Sequence, residues 1–329
     1  MYPVSQCSQE KIQQAAQKLL NGAIVAFPTE TVYGLGVDAE NSEAVKKMYE
    51  IKGRPVNHPV IVHIAEIDQA EYWASEIPKY AILLMRKFWP GPMTLILPRS
   101  KFAKDFITGN QDFVGLRIPS NLIALTLLKE FVKLGGHGIA APSANRFGFV
   151  SPTSAKHVSD DIGLLLTEKD LILDGGECEI GLESTIIDCT RDLPRILRLG
   201  VITESMIKEV TEIDLDDNLN EIRVSGSLSK HYSPRAQVIV EGRVESGDGF
   251  IAMSSVSTPS GAIRLAAPES ISEFAKILYS SLRSGDSKNL SRIFVTLPEG
   301  DGVAAAIRDR LIRASTASQS LNLNPSKLL

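Results

Sequence analysis

Cysteine is scarce in this chain. Cys7, Cys178 and Cys189 are the only three among 329 residues, too few and too widely spaced for a disulfide framework or a zinc site. Cys178 and Cys189 read as small, inert residues in a reducing cytosol. No apolar run reaches the ~18 residues of a membrane span, and Met1-Tyr2-Pro3 does not begin a signal peptide. A cytoplasmic location with no membrane partner is therefore expected. Excess positive charge is missing too, since 35 Lys and Arg stand against 39 Asp and Glu, a net charge of −4. That balance gives no global pull toward nucleic acid, so any polyanion must meet a local cluster of cations. Also absent are GxxxxGK[ST], GxSxG, HExxH and CxxC. An enzyme without them works by positioning and electrostatics, not through a covalent nucleophile or a structural metal. No residue is assigned as a catalytic group or a metal ligand.

What is present is the composition of a soluble globular protein, 43% hydrophobic and 22% charged, in a length that predicts two domains. Ile12, Ala15, Ala16, Leu19 and Leu20 follow helical spacing, and Asn21-Gly22 supplies a stop. An apolar strand from Ala23 then runs straight into FPTETVYGLG (27–36), where Pro28 should end it. Ser42 is placed to cap a second helix with Val45, Met48 and Tyr49 on its apolar face. Lys52 falls one turn further along that face, at a helix C-terminus where the dipole also favours a lysine. Strands are expected at Pro59–Ile64, Met93–Leu97, Phe113–Ile118, Gly138–Ala141, Leu171–Leu173, Ser184–Asp188 and Arg195–Leu199. Helices are expected at 68–75, 78–88, 120–133 and 203–210. Without a regular crossover rhythm, this mixture predicts an α/β domain with a mixed sheet. The pattern lapses over 212–234, too long for an ordinary loop and hence a linker or a functional segment. Strand-like runs at 236–240, 250–254, 263–266 and 292–297 follow, with two helices, one opened by a Ser270…Glu273 capping box. They predict a small, Rossmann-like α/β domain that lacks a glycine-rich phosphate fingerprint.

Cations and small hydroxyls gather in non-helical segments at strand edges: PTETVYGLG, KGRPVNHPVIVHI (52–64), VGLRIPS (114–120), APSANRFGFVSPT (141–153), GLESTIID (181–188) and LRLG (197–200). Lys52, Arg54, His58, His63, Arg117, Arg146 and Arg198 recur among them. In a net-negative chain these point to a basic pocket for a compact anion. Triphosphate is the natural candidate, because guanidinium forks bind phosphate oxygens in a bidentate way. Ser143, Ala144, Ser151 and Gly181 are small enough for backbone N–H groups to approach the same ligand. Each residue also has a plainer reading. Arg117 and Arg198 would pair with acids on neighbouring strands, and His63, among Ile61, Val62 and Ile64, would be a satisfied half-buried histidine.

In this order, and with WPGPMTLIL (89–97) and HYSP (231–234), the segments resemble the L-threonylcarbamoyladenylate synthases in their long, two-domain form with a YrdC-like N-terminal domain. The motifs cover most of residues 10–200, whereas the C-terminal domain is matched mainly by position. The resemblance implies a YrdC-like mixed twisted sheet with helices over 1–211, a linker or lid over 212–234, and the smaller Rossmann-like domain over 235–329. It implies a nucleotidyltransferase that makes threonylcarbamoyl-AMP and pyrophosphate from L-threonine, bicarbonate and ATP, with Mg2+ accompanying the nucleotide. The product would pass to a tRNA threonylcarbamoyl transferase that makes threonylcarbamoyladenosine. Carried over by motif, Thr31, His63, Arg117, Ala141 and Ser184 belong to the threonine side, with Arg117 facing the carboxylate. Lys52, Arg54, His58, Phe113, Ser143, Asn145, Ser151, Arg198 and Tyr232 belong to the ATP side. His58 stands where the family often has Asn, and its charge would vary with pH. Gly34 and Gly36 would let the backbone close on the ligand, and Tyr232 would reach back from the lid over the nucleotide.

Two other classes are weighed against this. A non-catalytic RNA-binding, translation-associated module would use a similar concave basic face, and weak RNA binding is a partner the resemblance leaves open. The pI near 5.8 and the lack of interleaved basic and aromatic residues weigh against RNA binding as the main role. A carbamoyl-transfer domain of the hydrogenase-maturation type would bring an acylphosphatase-like region and zinc-binding cysteine pairs, and neither is here.

Overall fold

Apolar runs without polar alternation need cover on both faces, which a sheet layered between helices supplies. The computed structural model of the chain describes residues 4–216, 222–224 and 232–321. His231 of the HYSP motif and much of the expected lid lie outside the described residues. The chain divides into two compact units. One comprises Met1–Phe147, Pro152–Glu179 and Glu183–Ser227, and the other Gly148–Ser151, Ile180–Leu182 and Leu228–Leu329.

The first unit holds strands β1 (Val4–Gln6), β2 (Val25–Phe27), β3 (Gly34–Asp38), β4 (Ile61–His63), β5 (Met93–Pro98), β6 (Phe113–Arg117), β7 (Ile139–Ala140), β8 (Leu171–Asp174), β9 (Thr185–Asp188) and β10 (Arg195–Arg198). They form one sheet in the order β1-β8-β2-β3-β7-β4-β6-β5-β9-β10. Pairing is mixed: β4 runs parallel to β6 but antiparallel to β7, and β5 antiparallel to β6 but parallel to β9. Helices of this unit are α1 (Gln9–Leu20), α2 (Ser42–Lys52), α3 (Ala70–Trp73), α4 (Lys79–Phe88), α5 (Asp105–Thr108), α6 (Leu122–Lys133), α7 (Ala155–Ile162) and α8 (Glu204–Thr211). Strand side chains alternate between two core layers. Val25 and Phe27 pack with Ala15 and Leu19 of α1 and with Leu127 and Phe131 of α6. Ile24 and Ala26 join the opposite layer, with Met48 of α2, Leu84 of α4 and Val158 of α7.

The second unit is built on a parallel sheet, β11 (Gln237–Ile239), β12 (Gly249–Ile251), β13 (Ile263–Ala266) and β14 (Arg292–Val295), in the order β11-β14-β12-β13. Its helices are α9 (Ile271–Ser287) and α10 (Val303–Leu321), and Phe274, Leu278, Ile293 and Leu311 are buried in its core. The expected architecture, a mixed sheet with helices followed by a smaller parallel α/β layer, is the one the chain adopts. No described helix is long and apolar enough to cross a membrane.

Several local expectations differ from the structure. Asn41, not Ser42, caps α2, its side chain accepting from the Ala44 N–H at 3.0 Å, so Ser42 opens the first helical turn. At α9 the Ser270 Oγ accepts from Glu273 N, but the Glu273 carboxylate accepts from Glu269 N instead of closing the box. GLG of the opening motif is part of β3. Gly36 is small for the sheet's sake, since a Cβ there would lie 2.7 Å from the Phe27 ring and 2.9 Å from Ile139. Gly34 likewise faces Ala141 and Phe27, not an open cleft.

Candidate functional site

Pro28 ends β2, and Thr29 shapes the turn that follows. Its Oγ1 accepts from the N–H groups of Thr31 (3.1 Å) and Val32 (3.2 Å) and donates to the Val32 carbonyl at 2.6 Å. A 2.8 Å contact joins the hydroxyls of Thr29 and Thr31, which ties Thr31 to the same turn. Tyr33 anchors the far end of the turn. Its hydroxyl donates to Gly176 O (2.7 Å) and accepts from Gly175 N (3.1 Å). The segment 142–144 is laid alongside, with Leu35 N donating to Pro142 O and Ala144 N to Tyr33 O.

Parallel pairing of β4 with β6 sets His63 opposite Arg117. Arg117, only 4% exposed, donates through Nη2 to Glu30 Oε1 at 2.7 Å and through Nε to Gly91 O at 3.3 Å. The acid anticipated for Arg117 thus comes from the Thr29–Thr31 turn and not from a neighbouring strand. Glu30 is itself 2% exposed, and its Oε2 is buried with no hydrogen-bond partner. His63 is fully enclosed rather than half-buried, at 3%, and sits edge-on to Phe27 with ring centroids 6.0 Å apart. Its Nδ1 also lacks a partner. Burial first, and the neighbouring guanidinium second, push its pKa down to about 3, so it is neutral at physiological pH. Cys178 borders this group, but burial raises its thiol pKa to about 12, which leaves it unreactive.

Ser184 lies on the other flank. Its Oγ is 2.8 Å from Thr94 Oγ1 and accepts from Arg198 Nη2 at 3.0 Å, while Arg198 Nε donates to the Ser184 carbonyl at 3.0 Å. The antiparallel β9–β10 pair produces this contact, so Ser184 and Arg198, assigned to opposite sides by motif, are direct neighbours. Ala141 is buried, its N–H bonded to Ile61 O at 3.0 Å.

The cations around the end of α2 largely hold backbone. Lys52 points into the interior, where its ammonium donates to Ser143 O (2.5 Å) and Asn145 O (2.6 Å). It is a strut for the 143–145 segment. Burial, then Arg54, holds its pKa well below the ordinary lysine value. Arg54 donates to Pro59 O (2.8 Å) and lies 5.6 Å from the centre of the Phe147 ring. His58 meets the same ring edge-on at 5.4 Å. Burial, then Arg54 and Arg223, lower its pKa, which keeps it neutral near pH 7 instead of switching there. Asn145 donates to Arg146 O at 2.7 Å. Phe113 packs with Val224, Ile186 and Ile96, and Gln111 pairs with the Arg223 backbone at 2.9 Å in both directions. A piece of the expected lid therefore runs along the first unit. Ser151 and Tyr232 belong to the second unit. There Tyr232 is buried with φ of 65°, the Arg310 guanidinium lies 5.1 Å from its ring centre, and Tyr279 stacks at 5.9 Å.

A cleft of about 880 Å³ opens elsewhere on the first unit, lined by Glu40, Arg99, Lys101, Asp105 and Asp112 among others. It holds none of these residues, and its Arg99 is already paired with Asp105 at 2.5 Å.

Comparisons with known proteins give the family. The family profile described as "Telomere recombination", which groups Sua5, YciO and YrdC, matches residues 17–200, and that described as "Threonylcarbamoyl-AMP synthase, C-terminal domain" matches residues 202–316. Threonylcarbamoyl-AMP synthase of Pyrococcus abyssi is 38% identical over 93% of this chain and 94% of its own length. The chain belongs to the threonylcarbamoyl-AMP synthase family. A second member, from Bacillus subtilis, is 39% identical over 93% of each chain. The crystal structure of P. abyssi Sua5 complexed with L-threonine superposes with a TM-score of 0.85 at 36% identity, covering 97% of this chain and 98% of that one. As a threonylcarbamoyl-AMP synthase family member of the two-domain Sua5 form, the chain is an enzyme of nucleotidyltransferase type. Sequence reading passed over Glu30. Its signal was there, as the one acid in an otherwise uncharged segment, since a buried carboxylate needs a partner.

Proposed function

We propose that the chain condenses L-threonine, bicarbonate and ATP to threonylcarbamoyl-AMP and pyrophosphate in the cytoplasm, and that a tRNA threonylcarbamoyl transferase uses the product to make threonylcarbamoyladenosine. The observation that carries this reading is that Arg117 lies opposite His63 on paired strands and is bonded to Glu30 of the turn that holds Thr31, all of them buried in the first unit. Arg117 there is a buried cation suited to an amino acid carboxylate, and the Thr31 hydroxyl is suited to a substrate N–H or O–H. A neutral His63 adds polarity without a second charge. In the reaction the threonine amine and bicarbonate form a carbamate with loss of water. A carbamate oxygen then attacks the α-phosphorus of ATP as the bond to the β-phosphate oxygen breaks. Such a displacement depends on in-line placement and neutralised phosphate oxygens, not on a covalent nucleophile.

On this reading 1–211 is the catalytic domain, 212–234 the linker or lid, and 235–329 the second domain. Ala141 and Ser184 complete the threonine side. Lys52 shapes the ATP side by fixing the 143–145 backbone, together with Arg54, His58, Phe113, Ser143, Asn145 and Arg198 of the same unit. Among the described residues no group of three or more His, Cys, Asp or Glu side chains could hold a metal ion. Mg2+ would accompany the triphosphate of ATP, the usual way this ion reaches a phosphoryl-transfer site.

The test is to incubate purified protein with ATP and Mg2+, with and without L-threonine and bicarbonate, and to measure pyrophosphate. Release should require both. Release unaffected by omitting either one rules the reading out.

A further inference from the structure

We infer that Glu30 receives the α-ammonium of the amino acid substrate, so that the Glu30–Arg117 pair reads a whole zwitterion. The inference rests on the proposed function and adds a residue to its substrate site.

A buried carboxylate paired with a guanidinium is stable only when its other lone pairs are satisfied. Glu30 meets half of that requirement. Oε1 accepts from Arg117 Nη2 at 2.7 Å, while Oε2 is shielded from solvent and has no donor. Leaving a charged acceptor bare is costly, and a bare acceptor in a native interior calls for a specific explanation. Arg117 is also only partly committed, since Nε and Nη2 hold Gly91 O and Glu30 while Nη1 donates to no described residue. The pair therefore carries one unpartnered acceptor and one uncommitted donor.

The chemistry of that opening selects its occupant. A divalent metal is disfavoured on an oxygen whose carboxylate already contacts a buried guanidinium. An anion alone would satisfy Arg117 and leave Oε2 bare. An α-amino acid satisfies both, its carboxylate meeting Arg117 and its ammonium meeting Glu30 through a charge-assisted hydrogen bond. Thr31, the next residue in the same turn, places a further hydroxyl beside Glu30. Holding the nitrogen in this way also fixes where its lone pair appears once a proton leaves, so Glu30 contributes to orientation as well as affinity.

The test is calorimetric binding of L-threonine and of 3-hydroxybutyrate with matching stereochemistry, which keeps the carboxylate and hydroxyl but has hydrogen in place of the amine. Wild type should prefer threonine by at least about tenfold. In Glu30→Gln, threonine affinity should fall by at least about tenfold, while that for 3-hydroxybutyrate changes by less than about threefold. An equal loss for both ligands would mean that Glu30 acts only through Arg117, and would overturn the inference. So would a wild type that binds threonine without preference over 3-hydroxybutyrate, a result that needs no variant to fold. Failure of wild type to bind threonine at all overturns the proposed function and this inference together.

Discussion

A neutral histidine next to a guanidinium makes stability depend on pH in a predictable direction. The unfolded chain protonates His63 near 6.5, whereas the folded protein resists until about 3. Between those values the unfolded state binds a proton that the native state excludes. Stability contributed by the neutral ring is thus complete above pH 6.5, and falls as pH drops toward 3 by up to about 1.4 kcal/mol per pH unit. Urea unfolding from pH 7 to pH 4 should show wild type losing stability more steeply than His63→Gln by up to that slope. Superimposable pH dependences would show that His63 titrates normally in the fold. At this scale it was legible which polar residues turn inward. Thr31, His63 and Arg117 stand out as polar residues in apolar surroundings, and Lys52 was placed correctly on an inward face. The assignment of its ammonium to Ser143 and Asn145 carbonyls was not legible, because backbone acceptors brought from 91 and 93 residues away leave no mark in composition or spacing. Glu30 escaped for the same reason, since its partner is 87 residues distant.

Elements were legible where hydrophobicity alone dictates them. The apolar runs that became β4, β5, β6, β8 and β9 are buried strands whose pattern survives in one dimension, and β10 is the edge strand beside β9. β3 was hidden because Gly34 and Gly36 look like loop residues, and their fit to the sheet is a matter of what lies opposite. That difference is measurable. In Gly36→Ala the new Cβ would meet Phe27 at 2.7 Å, Ile139 at 2.9 Å and the Val25 carbonyl at 3.0 Å, whereas in Gly34→Ala the nearest atom is 3.3 Å away. Gly36→Ala should cost about 1–3 kcal/mol, and Gly34→Ala distinctly less. Paired thermal melts with the opposite ranking would restore the view that Gly36 is kept for a ligand.

At the scale of the whole molecule, the first unit contains both core layers that clasp its sheet. A chain ending at residue 227 should therefore retain a cooperative thermal transition by circular dichroism. A fragment that melts without one would show that the division is geometric and not a folding boundary. Two short excursions, 148–151 and 180–182, join the second unit, an interleaving that sequence reading could not anticipate, because both lie within motifs otherwise belonging to the first. Thr31 and Ser184 have no exposed surface, and His63 and Arg117 have almost none. A substrate that is to touch these side chains must first part the walls that close over them, so its rate of entry would be set by how often the polypeptide breathes and not by diffusion alone.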